Sequence, residues 1–299
     1  MVPEVVASLR PEEGGWFVDC TLGMGGHSRA ILLAGKGASV LGVDRDAEAT
    51  KIAARALEPF GARFRCLQAD YRDVSAWSAH VPEPPRGILV DLGLSGYQLK
   101  AGRGFSFKDD RRLDMRMDES TGSSAEEFLG KVSQEELAAV LKAYGEESMA
   151  KRIARAIVAA REEAPISDAA RLARIVEEAV PAHLRGRIHP ATRTFQALRI
   201  VINRELEGLG EFLELAVGLL AAGGRIVVLS YHSLEDRIVK QTFRALAHGC
   251  ICPPRLPVCA CGRTPSLSLV GRGATRPTEA EVKANPSSRS AKMRVGEKL

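Results

Sequence analysis

The residues best placed to do chemistry lie in one stretch, Trp16-Phe-Val-Asp-Cys-Thr-Leu-Gly-Met-Gly-Gly-His27, and in Val40-Leu-Gly-Val-Asp44 after it. Each apolar run ends in an acid, and Gly23, Gly25, Gly26 and a helical pattern lie between them. Glycines let a backbone approach a ligand closely, and an acid ending the second strand can bind both hydroxyls of a ribose. The spacing predicts a βαβ unit that holds a nucleoside-bearing cofactor across the carboxyl ends of its strands. A dinucleotide fingerprint would place a third glycine where this chain has Ser28, and a carboxylate at Asp19 would repel a pyrophosphate. The same carboxylate would attract the ammonium and sulfonium of S-adenosylmethionine, the cofactor this stretch favours. A dinucleotide oxidoreductase is the alternative, separable by nucleotide affinities. A glycine turn that binds nothing is a third reading, weakened by two strand-terminal acids at this separation.

Such residues need a scaffold, and the rest of the chain supplies one. Residues 1–10 read as a short helix with Val2, Val5, Val6 and Leu9 on one face. Strands are predicted at Trp16–Cys20, Val40–Val43, Arg63–Leu67 and Gly87–Asp91, with helices between them, one carrying Ala30, Ile31 and Leu33 and another spanning Ala47–Leu57. Alternation of this kind argues a parallel sheet covered on both faces, with Asp19, Asp44, Asp70 and Asp91 at one edge. From 103 to 190 no strand pattern occurs, and helices are expected at Ser124–Leu129, Gln134–Tyr144, Ser148–Arg161 and Asp168–Val180. The reading is an α/β sheet domain of residues 1–102 and 191–299 interrupted by a helical domain, 103–190. After helices near Thr192–Leu206 and Leu209–Ala222 come a glycine-initiated strand, Gly223–Tyr231, and a closing antiparallel pair, Leu267–Val270 with Ala291–Val295.

Composition sets limits. The 299 residues are 45% hydrophobic and 26% charged, as in ordinary globular proteins. No apolar run nears the ~18 residues of a membrane span, and Met-Val-Pro-Glu-Val-Val carries no basic-then-apolar leader. A cytoplasmic protein with no membrane partner is expected. Charge is uneven: residues 1–100 hold 11 Lys/Arg against 12 Asp/Glu, net −1, whereas 151–204 hold 11 against 5, net +6. A basic segment beside a neutral cofactor region suits a polyanionic substrate; solvated helix faces are the plainer reading. Cys250, Cys252, Cys259 and Cys261 form C-x-C-x6-C-x-C in a Pro-rich loop. That is a tighter chelate than C-x2-C, with no strand–turn frame, so reduced thiols or a redox-labile pair and no metal are expected, with tetrahedral zinc as the alternative.

Other motifs fall near the predicted sheet edge. Asp91-Leu-Gly-Leu-Ser-Gly-Tyr-Gln98 ends the fourth strand; Asp91 and Gln98 could reach a cofactor there, or Asp91 could simply cap a helix. Arg103-Gly-Phe-Ser-Phe107 and Leu113-Asp-Met-Arg-Met-Asp118 read as a strand or structured loop, with an Asp–Arg pair the plainer role. His189-Pro-Ala-Thr-Arg193-Thr-Phe-Gln-Ala-Leu-Arg199 puts Arg and Thr at a helix start, where amides and guanidinium can hold a phosphate. Ser230-Tyr-His-Ser-Leu-Glu-Asp236 ends the fifth strand, and His232 is either a site residue or a helix cap. Residues 271–299 carry 7 Lys/Arg against 3 Asp/Glu, net +4, and read as a flexible basic tail for phosphate contacts or a solvated edge strand.

Taken together, Asp19-x-Thr-x-Gly-x-Gly-Gly-His27, Asp91-Leu-Gly-x-Ser95, the 103–107 and 113–118 segments, Tyr144-Gly-Glu-Glu, His189-Pro-Ala-Thr-Arg, Ser230-Tyr-His-Ser-Leu-Glu-Asp-Arg and Ser288-Arg-Ser-Ala-Lys resemble the MraW/RsmH family of small-subunit ribosomal RNA methyltransferases, which methylate cytosine N4. The resemblance runs from about residue 2 to 295. It implies a class I (Rossmann-like) S-adenosylmethionine-dependent methyltransferase whose helical insertion helps recognise RNA, acting on a cytosine at the decoding centre, in the P-site region. By similarity, Gly25, Gly26, His27, Asp44, Tyr71, Asp91 and Gln98 match the family's cofactor contacts. The chain departs from the family at Gly96, usually serine, at Lys100, usually acidic, and at Ser287, usually Arg. The family's short His-containing lead-in precedes the point where Val2-Pro3 open this chain.

The implied reaction is direct in-line attack by cytosine N4 on the sulfonium methyl. Asp91 and Ser95 are the candidates to accept the amine's N–H bonds, with His232 a further one. Arg193, Arg199, Arg289, Lys292 and Arg294 are the candidate RNA contacts, and an assembled or nearly assembled small subunit is the expected partner. A cofactor-binding RNA chaperone or assembly factor without turnover is the competing reading. The sequence carries no signature of oligomeric state.

Overall fold

The computed structural model describes residues 1–100, 102–107, 111–186, 188–248, 252, 258 and 260–299. Among them, seven strands form one sheet: β1 Gly15–Asp19, β2 Ala38–Asp44, β3 Phe64–Gln68, β4 Gly87–Asp91, β5 Arg225–Ser230, β6 Leu267–Thr275 and β7 Lys292–Lys298. Their order is β3-β2-β1-β4-β5-β7-β6. The first five are parallel, and β7 runs antiparallel to both β5 and β6. This is the sheet of a class I methyltransferase, the fold class expected.

The strands are apolar on both faces because helices cover both. On one face Val18, Leu41, Val43, Ile88, Val90, Ile226 and Val228 pack with Trp77, Phe212 and Phe243. On the other, Phe17, Val40, Leu89, Val227 and Leu229 pack with Val5, Leu9, Ile31 and Leu57. The helices among the first strands are α1 Val2–Leu9, α2 Gly26–Ala34, α3 Ala47–Leu57 and α4 Val74–Ser78. Asp46 starts α3 by accepting from the amides of Glu48 and Ala49. In α2, Ile31 and Leu32 turn inward, whereas Leu33 points to solvent.

The chain divides into two compact units, Met1–Gly93 with Gly208–Leu299, and Leu94–Glu207. The second unit holds α5 Gly96–Lys100, α6 Ala125–Lys131, α7 Gln134–Gly145, α8 Ala150–Glu163, α9 Ala169–Ala179 and α10 Ala191–Asn203. It extends beyond the expected 103–190 at both ends. The reason at the C-terminal side is α10, whose Ala191, Phe195, Ala197 and Leu198 join the core of this unit. There α7 and α10 touch backbone to backbone, since a Cβ at Gly145 would lie 2.7 Å from the carbonyl oxygen of Arg193. The first unit resumes with α11 Leu209–Leu219, α12 Ser233–His248 and α13 Glu279–Ala284.

The basic C-terminal segment is not a flexible tail: its first residues, 271–275, end the solvated edge strand β6, and the predicted antiparallel pair forms between β6 and β7. Residues 292–298 form β7, which sits between β5 and β6, and its Met293 and Val295 side chains are buried. Cys250 and Cys259 lie outside the described residues, so the four-cysteine motif has no structural description. No described helix is long and apolar enough to cross a membrane.

Candidate active site

The strand registers bring the acids to one edge: Asp19 is level with Gly42 and Leu89, Asp44 with Gln68, and Asp91 with Leu229. After β1 the chain turns on hydrogen bonds from the Leu22 amide to the Val43 carbonyl (3.0 Å) and from the Gly25 amide to the Leu22 carbonyl (2.8 Å). Gly25 has φ 78°, and a Cβ there would lie 2.8 Å from Leu57 Cδ1, so only glycine fits. Gly26 is different. It opens α2, and a Cβ on it would meet nothing within 4 Å. The first amides of α2 have no partner within the helix, and Gly25 offers them no side-chain cap.

Asp19, expected to draw the cofactor's cations, is instead enclosed. It is 1% exposed; its Oδ2 accepts from the Ser28 hydroxyl at 2.7 Å and its Oδ1 from the Thr21 amide at 3.3 Å. Burial pushes its carboxyl above the usual range. Ser28 therefore replaces a third glycine for a structural reason, as the hydrogen-bond donor to a buried acid.

Asp44 closes the loop from the other side: Oδ2 accepts from the Gly23 amide at 2.8 Å and Oδ1 from the Asp46 amide at 2.9 Å. Burial pushes it up as well. Each oxygen retains acceptor capacity beyond these bonds. Beyond β3, burial also weakens Asp70 as an acid, but the Arg72 guanidinium and amide outweigh that and hold its carboxyl below the usual range. The adjacent Tyr71 ring meets Phe212 edge-on at 4.7 Å, and its carbonyl accepts from Trp77 Nε1 at 2.8 Å.

Three elements converge on Asp91 at the end of β4. Its amide donates to Thr21 Oγ1 at 2.6 Å, its Oδ1 accepts from the Tyr231 hydroxyl at 2.8 Å, and its Oδ2 faces His27 Nε2 at 3.6 Å. Burial favours neutral His27, but the Asp91 carboxylate and then Asp19 outweigh it, so the imidazole titrates above its ordinary value of 6.5. His27 Nδ1 is buried with no hydrogen-bond partner among the described residues. Sequence reasoning missed Tyr231, which lies 140 positions from Asp91; the polar cluster closing β5 was the available signal. His232, in that cluster, is the residue before α12 and serves its first turn. Its Nδ1 accepts from the Glu235 amide at 3.4 Å, and its Nε2 lies 3.0 Å from Glu235 Oε1.

In the helical unit, Ser95 and Gln98 cap each other: the Gln98 amide donates to Ser95 Oγ at 3.2 Å and the Ser95 amide to Gln98 Oε1 at 3.0 Å. The 113–118 segment is a loop, not a strand, and its Asp–Arg pair is structural. Asp114, 2% exposed, takes Arg116 Nε and Nη2 at 2.8 Å each. Between them Met115 has φ 59°, a strained value for a side-chain-bearing residue. It is clamped by bonds from its amide to the Arg103 carbonyl and from Asn203 Nδ2 to its own carbonyl, both 2.7 Å. Before α10, His189 Nδ1 accepts from the Ala191 amide, and the His189 ring stacks on Phe107 at 4.5 Å.

The five candidate RNA contacts differ in what they already hold. Arg199 makes two 2.8 Å bonds to the Glu205 carboxylate. Lys292 and Arg294 both bind Asp236, at 2.9 and 2.7 Å. Arg193 and Arg289 are exposed, Arg193 with one long bond to the Glu146 carbonyl.

The profile of the MraW methylase family matches residues 1–299. The chain belongs to that family. Among its relatives is the ribosomal RNA small subunit methyltransferase H of Syntrophotalea carbinolica, 48% identical over 100% of this chain and 96% of that protein. Proteins of the same name from Citrifermentans bemidjiense and Pelobacter propionicus are 47% and 48% identical, over 99% and 100% of this chain and 96% and 97% of theirs. Gly25-Gly26-His27 is the start of α2, with Gly25 its cap position, and Ser230-Tyr231-His232-Ser233 is the junction of β5 and α12.

Proposed function

We propose that this MraW methylase transfers a methyl group from S-adenosylmethionine to the N4 amine of a cytosine in small-subunit ribosomal RNA, at the decoding centre near the P site. The substrate is an assembled or nearly assembled small subunit in the cytoplasm. The observation that supports this reading most is the convergence of Thr21, His27 and Tyr231 on Asp91 at the end of β4, beside a helix start whose glycine leaves room for a ligand.

The residues present fit the cofactor. The uncapped first turn of α2 and the unpartnered Nδ1 of His27, an imidazole whose titration Asp91 and Asp19 raise against burial, suit the carboxylate of a methionine moiety. Asp44 keeps lone pairs for ribose hydroxyls, Tyr71 offers an aromatic face to adenine, and Asp91 and Gln98 complete the set that similarity implies. Bound there, the cofactor supplies an electrophilic methyl group on a sulfonium.

This chain's own part is orientation. Cytosine N4 is a poor nucleophile because its lone pair is delocalised into the ring, so the amine must be held by its N–H groups with that lone pair directed at the methyl. Asp91 accepts one N–H, and Ser95, four residues on in the chain, accepts the other. His232 stays with the first turn of α12 and supports the end of β5. Arg193 and Arg289 make the phosphate contacts; Arg199, Lys292 and Arg294 fix the elements around them. The target base must leave its stack to reach such a site.

The test is incubation of the protein with tritiated S-adenosylmethionine and small subunits from a strain lacking the enzyme, followed by nucleoside chromatography. Label in N4-methylcytidine is expected. Cofactor binding without label in subunits or naked RNA would overturn the reading in favour of an assembly factor without turnover.

A further inference from the structure

The motif that closes β5 contributes a residue to the site that neither its sequence position nor the reading above assigns. We infer that Tyr231 is a positioning residue that fixes the Asp91 carboxylate, so that one oxygen is permanently tied and the other is presented on the His27 side. The inference rests on the assignment of Asp91 to the cofactor and the amine.

The geometry is specific. A carboxylate at a strand end can rotate about its last bond, and an orientation is held only if its oxygens are distinguished by their partners. Here Oδ1 takes the Tyr231 hydroxyl at 2.8 Å, while Oδ2, among the described residues, faces His27 Nε2 at 3.6 Å. The donor is itself fixed. Its ring lies against the backbone of Gly93, where a Cβ would come 3.4 Å from Tyr231 Cδ2, and its amide donates to Glu235 Oε2 at 2.9 Å. Burial first, and then the neighbouring Asp91 charge, push the phenol far above its ordinary value, so it remains a donor at every pH the enzyme meets. The Asp91 backbone is held as well, through Thr21. The carboxylate thus ends β4 and the donor directly follows the adjacent parallel strand β5, whose pairing with β4 positions them.

A hydrogen bond to a charged acceptor is among the stronger ones a side chain makes. Tyr231→Phe keeps the ring against Gly93 and removes only the donor. Turnover of tritiated S-adenosylmethionine on small subunits is expected to fall ~10- to 100-fold, and S-adenosylhomocysteine affinity to weaken in parallel. The deciding measurement is a double-mutant cycle of Tyr231→Phe with Asp91→Ala, read both as single-turnover rate and as the S-adenosylhomocysteine dissociation constant. Calorimetric binding remains measurable where turnover is not. If Tyr231 acts through Asp91, its substitution changes either quantity less than ~2-fold once Asp91 is alanine. Equal losses in both backgrounds, or a Tyr231→Phe enzyme indistinguishable from the parent, would overturn the inference while leaving Asp91 in its role. An Asp91→Ala enzyme with unaltered turnover and affinity would instead overturn the assignment of Asp91. Unchanged thermal midpoints separate each of these from misfolding.

Discussion

Gly25 and Gly26 are neighbours with opposite structural demands, and that contrast tests where the ligand approaches. Gly26 is the first residue of α2, its added Cβ would touch nothing, and its backbone is compatible with alanine. A Gly→Ala change at such a site stabilises a fold by ~0.4–1 kcal/mol through the unfolded chain. At ~2–4 °C per kcal/mol, the thermal midpoint of Gly26→Ala should rise by ~1–4 °C. The same methyl intrudes where the cofactor must come close. An overpacking penalty of ~1–3 kcal/mol corresponds to a ~5- to 150-fold weaker S-adenosylhomocysteine complex. Gly25→Ala behaves differently: a left-handed φ costs ~1–2 kcal/mol for an L residue, and Leu57 Cδ1 stands 2.8 Å from the new Cβ. Its midpoint should fall. Titration calorimetry and thermal scans on both variants give the comparison. A Gly26→Ala protein that binds with parental affinity would refute the placement of the ligand at the start of α2. One destabilised as much as Gly25→Ala would refute the geometry of the turn.

Other perturbations probe the supports. Ser28→Ala removes the hydroxyl donor of a buried carboxylate and should cost ~1.5–3 kcal/mol in denaturant titration, with Ser28→Thr restoring part of it. Asp19 holds its proton more tightly folded than unfolded, so its contribution to stability declines as pH rises above 3.8, and Ser28→Ala should steepen that decline. Arg116→Ala strands the Asp114 carboxylate in the helical unit. The expected loss is ~3 kcal/mol, the low end for a broken buried pair, because Arg112 Nη2 remains 3.5 Å from Asp114 Oδ2. Burial opposes the charge on Asp114, but its bonds from Arg116 prevail and hold its carboxyl below 3.8. The stability it adds is therefore complete above 3.8 and lost as pH falls through the folded value, visible as acid unfolding that Arg116→Ala shifts to higher pH. His27 should titrate above 6.5 by NMR, and Asp91→Asn should bring it down. The stability that raised value contributes is full below 6.5 and lost as pH rises through the folded value, a dependence Asp91→Asn should flatten.

Much of the framework was legible in the sequence, for a physical reason. Parallel strands covered on both faces must be apolar throughout and end in polar residues, so β1, β2, β4 and β5 stand out with Asp19, Asp44, Asp91 and Ser230 at their ends. What periodicity cannot carry is pairing. Whether a strand-end acid faces a ligand or a neighbour depends on one hydroxyl nine positions away, as with Asp19 and Ser28. The same holds for charge: the strand around Lys292 and Arg294 is legible, but its place between β5 and β6, which sets both cations on Asp236, is not. The Ser95–Gln98 cap follows a recognisable S-x-x-Q spacing, but the short helix it opens, Gly96–Lys100, has too few residues to show a period. Tyr231 was beyond reach because its partner lies on another strand, with the whole helical unit between them in the chain.

The central claim is transfer of a methyl group to one cytosine N4, and the most direct measurement is made in cells. Small-subunit ribosomal RNA from a strain lacking the enzyme, complemented with the parent gene or with Asp91→Ala, would be digested and the decoding-centre fragments analysed by mass spectrometry. One methyl increment, on a single cytosine base and restored by the parent but not by Asp91→Ala, is the expected result. A decoding-centre fragment that stays unmethylated with the parent protein expressed, or that Asp91→Ala methylates as fully, would contradict the claim.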